Sequence, residues 1–522
     1  MGIYSVGEVF MSALFRGLCV GLLIGLFYQP VAYAAPNQTP SQKTAQAFER
    51  LKSNPTLLLD FLTRMPKGGD LHHHLTGAVY AESFIDWAAG DGRCIDRASF
   101  IVSDPPCDDQ TRPSARLAQT NFDFRNLVID AWSIRNFVPT ATDRSVDYHF
   151  FRTFQKFDPA TKGHFAEALA EVTHRAGVQN VLYLETMIMP DQGAAMSLGA
   201  KLGWLDDFGA MRDRLMANGM DAIIAQGSKN LDDGLAKARA ISNCDGPMPD
   251  RGCGVTTRFL YVVLRALPRE VVFAQMVAAF EFAAKDPRMV GINPAMPEDE
   301  FTAMADFQLH MRMFDYLHGL YPQVHLSLHA GELVPGQVPP EGLTSHIRDS
   351  INLGHATRIG HGHGVAYETD APGLMAQMAR QHIAVETTLT TEQVLGAISN
   401  VDHPLPAYRA AGVPVVLATD DEGVGRTQMT WEYRKAVEGF GLNYPALKQM
   451  ARDSLDYSFL PGASLWAAPE KYRGLYQISG PCRGLDPAAR PNAACANFLA
   501  ANEKANIEWR QEAEFGRFEA GF

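Results

Sequence analysis

A histidine triplet, His72, His73 and His74 in "DLHHHLTG", ends a short alternating stretch of chain, and three distant stretches carry side chains of related chemistry. His329 and Glu332 stand in "HLSLHAGEL", His361 in "RIGHGHG", and Asp420 and Asp421 in "VVLATDDEG". Three imidazoles with one carboxylate form a donor set suited to zinc, with positions left for water. Singly, each stretch reads equally well as a core histidine or a helix-capping carboxylate. Together they say more, because every one of these groups ends a predicted strand, and such groups are costly to bury without partners. Alternation along the first strand sends His72 and His74 to one face and His73 to the other, toward a helical layer.

The elements that must position these groups are short β-type runs separated by helical segments. The runs are "GGDLHHH", "VQNVLYLET", "TTRFLYVVL", "RMVGIN", "VHLSLH", "ATRIGH", "HIAVETT" and "VPVVLATDD". Several are almost continuously apolar, as parallel strands covered on both faces must be. An α/β fold closing as a (β/α)8 TIM barrel is the economical arrangement, with an open doubly wound sheet as the alternative. In a parallel barrel, functional groups gather at the C-terminal ends of the strands, where these polar residues fall. Residues 35–65 read as a linker and helical segment, 66–460 as the barrel with an inserted lobe at about 80–145, and 461–522 as a C-terminal extension.

The composition excludes some classes of partner. The chain has 522 residues, 46% of them hydrophobic, and a net charge of -12 with its basic residues scattered, which argues against a nucleic-acid surface. At the start, Arg16 precedes the apolar run "GLCVGLLIGLFY" and then "QPVAYAAP", the layout of a signal peptide over residues 1–34 cleaved after Ala34. Glu8 is out of place in such a leader, and Met11 is an alternative start. The run is short for a permanent membrane anchor, so export to a periplasm or the outside is expected. Losing Cys19 leaves six cysteines, and closure within local loops pairs Cys94 with Cys107, Cys244 with Cys253 and Cys482 with Cys495.

In motif order, "MPKGGDLHHHLTGA", "HAGE", "GHG", "HPLP" and "TDD" make residues 60 to 460 resemble the adenosine and AMP deaminase family of the amidohydrolase superfamily. The leader, the cysteine-bearing insertion, "TWEY" and "ARDSLDYSFL" are similar to its secreted, growth-factor-like branch. The resemblance implies one zinc ion per chain held by His72, His74, His329 and Asp420, with a water whose pKa falls toward about 7. That hydroxide would attack purine C6 of adenosine or 2'-deoxyadenosine, giving the inosine product and ammonia. Glu332 would donate a proton to N1, His361 orient the hydroxide or shuttle its proton, and Asp421 bond N7.

The chain also departs from that pattern. Thr76 replaces an aspartate after the first motif, "DDEGVGR" replaces "DDPxxF", and "GINPAMPED" places Met296 where a glycine faces the purine. The metal and proton-transfer set is therefore intact while the substrate-recognition set is partly rewritten. Other readings stay open: an AMP deaminase, for which Arg426 could meet the phosphate, an amidohydrolase of another aminopurine nucleoside or nucleotide, or a purine-binding protein without turnover. A small-molecule purine nucleoside is the expected partner and a homodimer is possible. His363 and His355 are expected as rim or loop histidines without a ligand role, and Glu185 as a structural hydrogen-bonding group.

Overall fold

The computed structural model describes residues 38–396 and 398–522, so the expected leader lies outside the described residues. Eight parallel strands follow the eight apolar runs: β1 Gly68–His74, β2 Val181–Ile188, β3 Thr256–Leu264, β4 Met289–Ala295, β5 His325–Ala330, β6 Arg358–His361, β7 Ala384–Thr387 and β8 Val415–Leu417. Each pairs with the next in chain order. The ring closes through a parallel bridge between His73 and Asp420, where Asp420 N–H donates to His72 O at 2.9 Å and His74 N–H to Asp420 O at 3.2 Å. The (β/α)8 barrel expected from the sequence is the fold.

The segment between β1 and β2 holds far more than a crossover helix. Helix Ala81–Gly90 leads into a small hairpin tied by the Cys94–Cys107 disulfide, then helices Phe122–Ala131 and Val146–Thr161. The last of these starts at Ser145, whose side chain accepts from Tyr148 N–H, and stacks Phe157 on Phe84 with ring centroids 4.6 Å apart. The crossover proper is helix Phe165–Val178, whose Arg175 donates to Ala78 O at 2.9 Å and to Glu422 at 2.6 Å. The Cys244–Cys253 and Cys482–Cys495 disulfides complete the three expected pairs.

The N-terminal ends of the strands are sealed from below. Helix Pro55–Arg64, capped by Asn54 and opened by a proline at its first position, buries Phe61 against Phe48, Tyr444 and Phe518. Helices Tyr444–Asp456 and Glu503–Glu519 bring Leu455 and Ile507 onto Leu71, Tyr183 and Val416. The extension beyond residue 460 is thus part of the barrel floor. Among the described residues no helix is long and apolar enough to cross a membrane.

The approach of this floor to β1 demands glycine. Gly68 has φ +71°, and a Cβ there would lie 2.1 Å from Ala451 O and 2.4 Å from Ser454 Oγ. Gly68→Ala should therefore cost about 2 kcal/mol of stability through backbone strain and overlap. A thermal midpoint equal to that of the unsubstituted protein would contradict this account of the floor.

Candidate metal centre and active site

β1, β5 and the end of β8 bring four donors to one point at the C-terminal mouth. His72 Nε2 lies 3.0 Å and His74 Nε2 3.3 Å from His329 Nε2, while Asp420 Oδ1 lies 3.4 Å from His74 Nε2 and 3.9 Å from His72 Nε2. Tetrahedral ligands about 2.0–2.1 Å from zinc are roughly 3.3 Å apart, so these separations fit an ion of that size. His329 and His74 are held in the neutral state a metal needs. Burial and the neighbouring histidines hold His329 well below its ordinary pKa, and burial with the same crowding lowers His74 to about 3 even against Asp420.

The opposite ring nitrogens are anchored. His72 Nδ1 is 2.8 Å from Glu386 and His329 Nδ1 2.5 Å from Asn293 Oδ1, so both rings can carry their proton on Nδ1 and offer Nε2. Glu386 sits inside β7, where it also accepts from Ser327 and from Arg358 Nε at 2.5 Å. Burial alone would raise Glu386, but Arg358 and His72 hold it ionised at about 2. Arg358 in turn donates to Glu185 at 2.5 Å and lies 3.6 Å over the Phe459 ring. Gly360 leaves the room His72 needs, since a Cβ there would stand 2.6 Å from the imidazole Cε1.

Glu332 follows β5 through Gly331, whose φ is +69°. Its backbone N–H donates to Glu298 at 2.7 Å, and Glu298 is held ionised by His346 at 2.5 Å despite its burial. Burial pushes the Glu332 carboxyl up to about 8, with Asp420 adding to the rise and His361 and Arg265 opposing it. His361 Nε2 is 3.5 Å from Glu332, has no hydrogen-bond partner, and belongs with His72 and His329 to a group whose donor atoms lie within 4.8 Å of one another. Its Nδ1 faces Thr388 at 3.1 Å and Glu392 at 3.8 Å, and Glu392 is braced by His403 of "HPLP" at 2.5 Å. Burial would lower His361, but Glu332, Glu392 and Asp420 raise it to about 10.

Asp421 is buried beside Asp420, and both effects push its carboxyl well above the usual range. Its Oδ1 has no hydrogen-bond partner, and Gly77 passes so close that a Cβ there would fall 1.6 Å from that oxygen. All seven site residues expected from the sequence thus meet at one mouth. Thr76 does not join them: it is exposed on the short helix Leu75–Ala78. Met296 stands at the end of β4 with φ +83°, a conformation that favours glycine.

Several neighbours escape the sequence reading. Arg265, at the end of β3, donates to Met296 O and His329 O, both at 2.9 Å, and turns a buried, unpartnered Nη2 to within 3.8 Å of Glu332. Asn293, Glu386, Arg358 and Glu392 are likewise missed, although a glutamate and an arginine inside adjacent apolar strands are a signal of a buried pair. His363 lies in the turn after β6, as the loop reading expects, but it is buried against the site rather than exposed at the rim. His355 pairs with Asp315 near the surface, Glu185 is structural as expected, and His73 turns away from the mouth to Thr186 at 2.7 Å.

The adenosine deaminase family model matches residues 242–465, the stretch from β3 through β8 that holds His329, Glu332, His361, Asp420 and Asp421. Adenine deaminase of Rhizobium leguminosarum bv. trifolii is 27% identical over 288 residues, 55% of this chain and 72% of that protein. Adenosine deaminase of Vibrio cholerae is 32% identical over 138 residues, 26% of this chain and 38% of that protein. An amidohydrolase from Burkholderia ambifaria, solved with bound zinc, shares the fold with TM-score 0.51 at 16% identity, over 77% of this chain and 88% of that one.

Because Glu386 fixes the tautomer of His72, Glu386→Gln should weaken divalent-metal binding by about 10–100-fold with the fold retained. Chelator competition on the purified variant measures this, and wild-type affinity would remove Glu386 from the metal centre.

Proposed function

We propose that the protein is a metal-dependent hydrolytic deaminase of the adenosine and adenine deaminase family, acting on the 6-amino group of a purine, with adenosine and 2'-deoxyadenosine as first substrates. The observation that carries this reading is the convergence of four metal donors with two carboxyls, Glu332 and Asp421, whose surroundings disfavour ionisation. His72, His74, His329 and Asp420 would hold one zinc ion. When bound, zinc supplies an activated water at neutral pH.

The chain's own groups account for the rest. Glu332 donates its proton to N1, which draws electrons from C6 as a C6–O bond forms. Asp421, also protonated, donates from its carboxyl to N7, a lone-pair acceptor. His361 turns Nε2 to the incoming oxygen. The two protons given up by the attacking water go to the departing amino group and back to Glu332, so the C6–N bond breaks, ammonia leaves, and the ring keeps a carbonyl at C6.

Adenine is the second reading. Exposed Thr76 offers no carboxylate to a ribose, and the longer of the two relative matches is to an adenine deaminase. AMP is less favoured, because Arg426 is engaged by Glu82 at 2.8 and 3.0 Å. We also assign the chain to an oxidising compartment, reached through the leader at 1–34, on the strength of its three local disulfides.

The test is the ultraviolet change on mixing leader-free protein with adenosine, 2'-deoxyadenosine, adenine and AMP, with and without a chelator later reversed by zinc. Conversion that depends on zinc is the expected outcome, and none by metal-loaded protein would overturn the reading. Glu332→Gln should keep its metal and lose at least 1,000-fold in kcat, about 4 kcal/mol at roughly 1.4 kcal/mol per tenfold. Since the reactive form carries the Glu332 proton, kcat should fall as pH rises through about 8. A rate that is flat or rising from pH 7 to 9 would contradict that role.

A further inference from the structure

A pocket opens beside Glu332 on the side away from the metal centre. Its walls include Asp147, Phe151, Asp299, His363 and Leu395 together with Glu332, and none of His72, His74, His329, Asp420 or Asp421 lines it. His363 is 5% exposed, and neither ring nitrogen has a hydrogen-bond partner. Burial lowers it to about 4, so the ring is neutral and presents one donor and one acceptor to the pocket. Asp147 comes from the first turn of the lobe helix Val146–Thr161, which makes this wall a joint product of lobe and barrel. Burial raises the Asp147 carboxyl to about 7, with the negative charge of Asp299 adding to the rise, and no lysine or arginine lines the pocket.

The position of this pocket on a bound purine follows from the chemistry of the ring. With C6 over the metal centre and N1 at Glu332, the next ring atom away from the metal is C2. Adenine carries only hydrogen there, yet the pocket that Glu332 lines also holds the carboxyl groups of Asp147 and Asp299 and an unpartnered imidazole. Such a wall calls for hydrogen-bond donors, and Phe151 and Leu395 add apolar contacts beside it.

We propose that this pocket is a subsite for an amino group at C2, and that the chain prefers 2,6-diaminopurines to purines with hydrogen at that position. The proposal rests on the deaminase reading above. Asp147 and Asp299 accept the two amino hydrogens, and His363 completes the polar edge. The inserted lobe is thereby a specificity element.

The holoenzyme would be assayed with adenosine, 2-aminoadenosine and N6-methyladenosine, and with adenine and 2,6-diaminopurine. The 2-amino compounds should show kcat/KM about tenfold higher than their parents, mostly through KM, as expected for one added hydrogen bond. Asp147→Ala and Asp299→Ala should each lower kcat/KM for the 2-amino compound several-fold more than for its parent, with zinc content and thermal midpoint confirming the fold. A ratio of one or below in the wild type, a ratio unmoved by both variants, or a gain for the N6-methyl compound alone would overturn the subsite. If no aminopurine is converted, the deaminase reading fails by itself. Equilibrium titration then decides the subsite: tighter binding of 2,6-diaminopurine than of adenine, lost in Asp147→Ala, supports it, and equal binding overturns it.

Discussion

The barrel closes on the residues that would hold its metal. β8 is only three residues long, and it meets β1 through the bridge at His73 and Asp420, with backbone bonds from Asp420 N–H to His72 O and from His74 N–H to Asp420 O. Three of the four candidate ligands therefore sit in one hydrogen-bonded seam, and their spacing is set by backbone geometry rather than by flexible side chains. Asp70 reinforces the seam one layer below, accepting from Thr419 Oγ1 at 2.5 Å. A barrel that failed to close would lose the donor set along with its sheet.

Beneath the seam runs a buried chain of hydrogen-bonded polar groups from floor to mouth: Glu185, Arg358, Glu386 and His72. Desolvating such groups costs several kcal/mol each, and well-packed apolar residues in their place are often no less stable, so stability alone does not account for them. What the chain supplies is orientation. Phe459, next to the extension, stacks on Arg358, and Tyr457 O accepts from it at 3.0 Å, so the barrel floor positions a guanidinium that positions a carboxylate that positions a ligand.

Much of this was legible in the sequence. The eight strands could be read because parallel strands covered on both faces leave near-continuous apolar runs. That these seven polar groups would gather at one mouth could be read because together they all end such runs. What supports them was harder to read. Glu386 and Arg358 each look like an isolated polar residue in a strand, and their pairing exists only once β6 and β7 lie side by side. Arg265 sits in "YVVLRAL" with nothing to mark its two backbone contacts. Asp147 was least legible of all, since "VDYHFFRTFQKF" reads as an ordinary amphipathic helix, and only the folded lobe brings its first turn to the pocket beside Glu332.

The carboxyls of the mouth share one chemistry and divide by their neighbours. Glu386 beside Arg358, and Glu298 beside His346, remain ionised although both are buried. Glu332 and Asp421 have carboxylate neighbours or apolar burial acting on them, and both rise. The site thereby places ionised carboxylates where imidazoles must be oriented and protonated carboxyls where a ligand can enter. A purine presents lone pairs at N1 and N7, on either side of C6. Two carboxylic acids beside a metal centre are complementary to that edge, whereas two carboxylates would repel it. The strain at the strand ends fits the same pattern: Met296, His361 and Asp420 all hold positive φ, at 83°, 63° and 60°, each about 1–3 kcal/mol less favourable than ordinary backbone. Strain is concentrated where the side chains must converge on a small planar ligand, and the closed barrel beneath is what holds it in place.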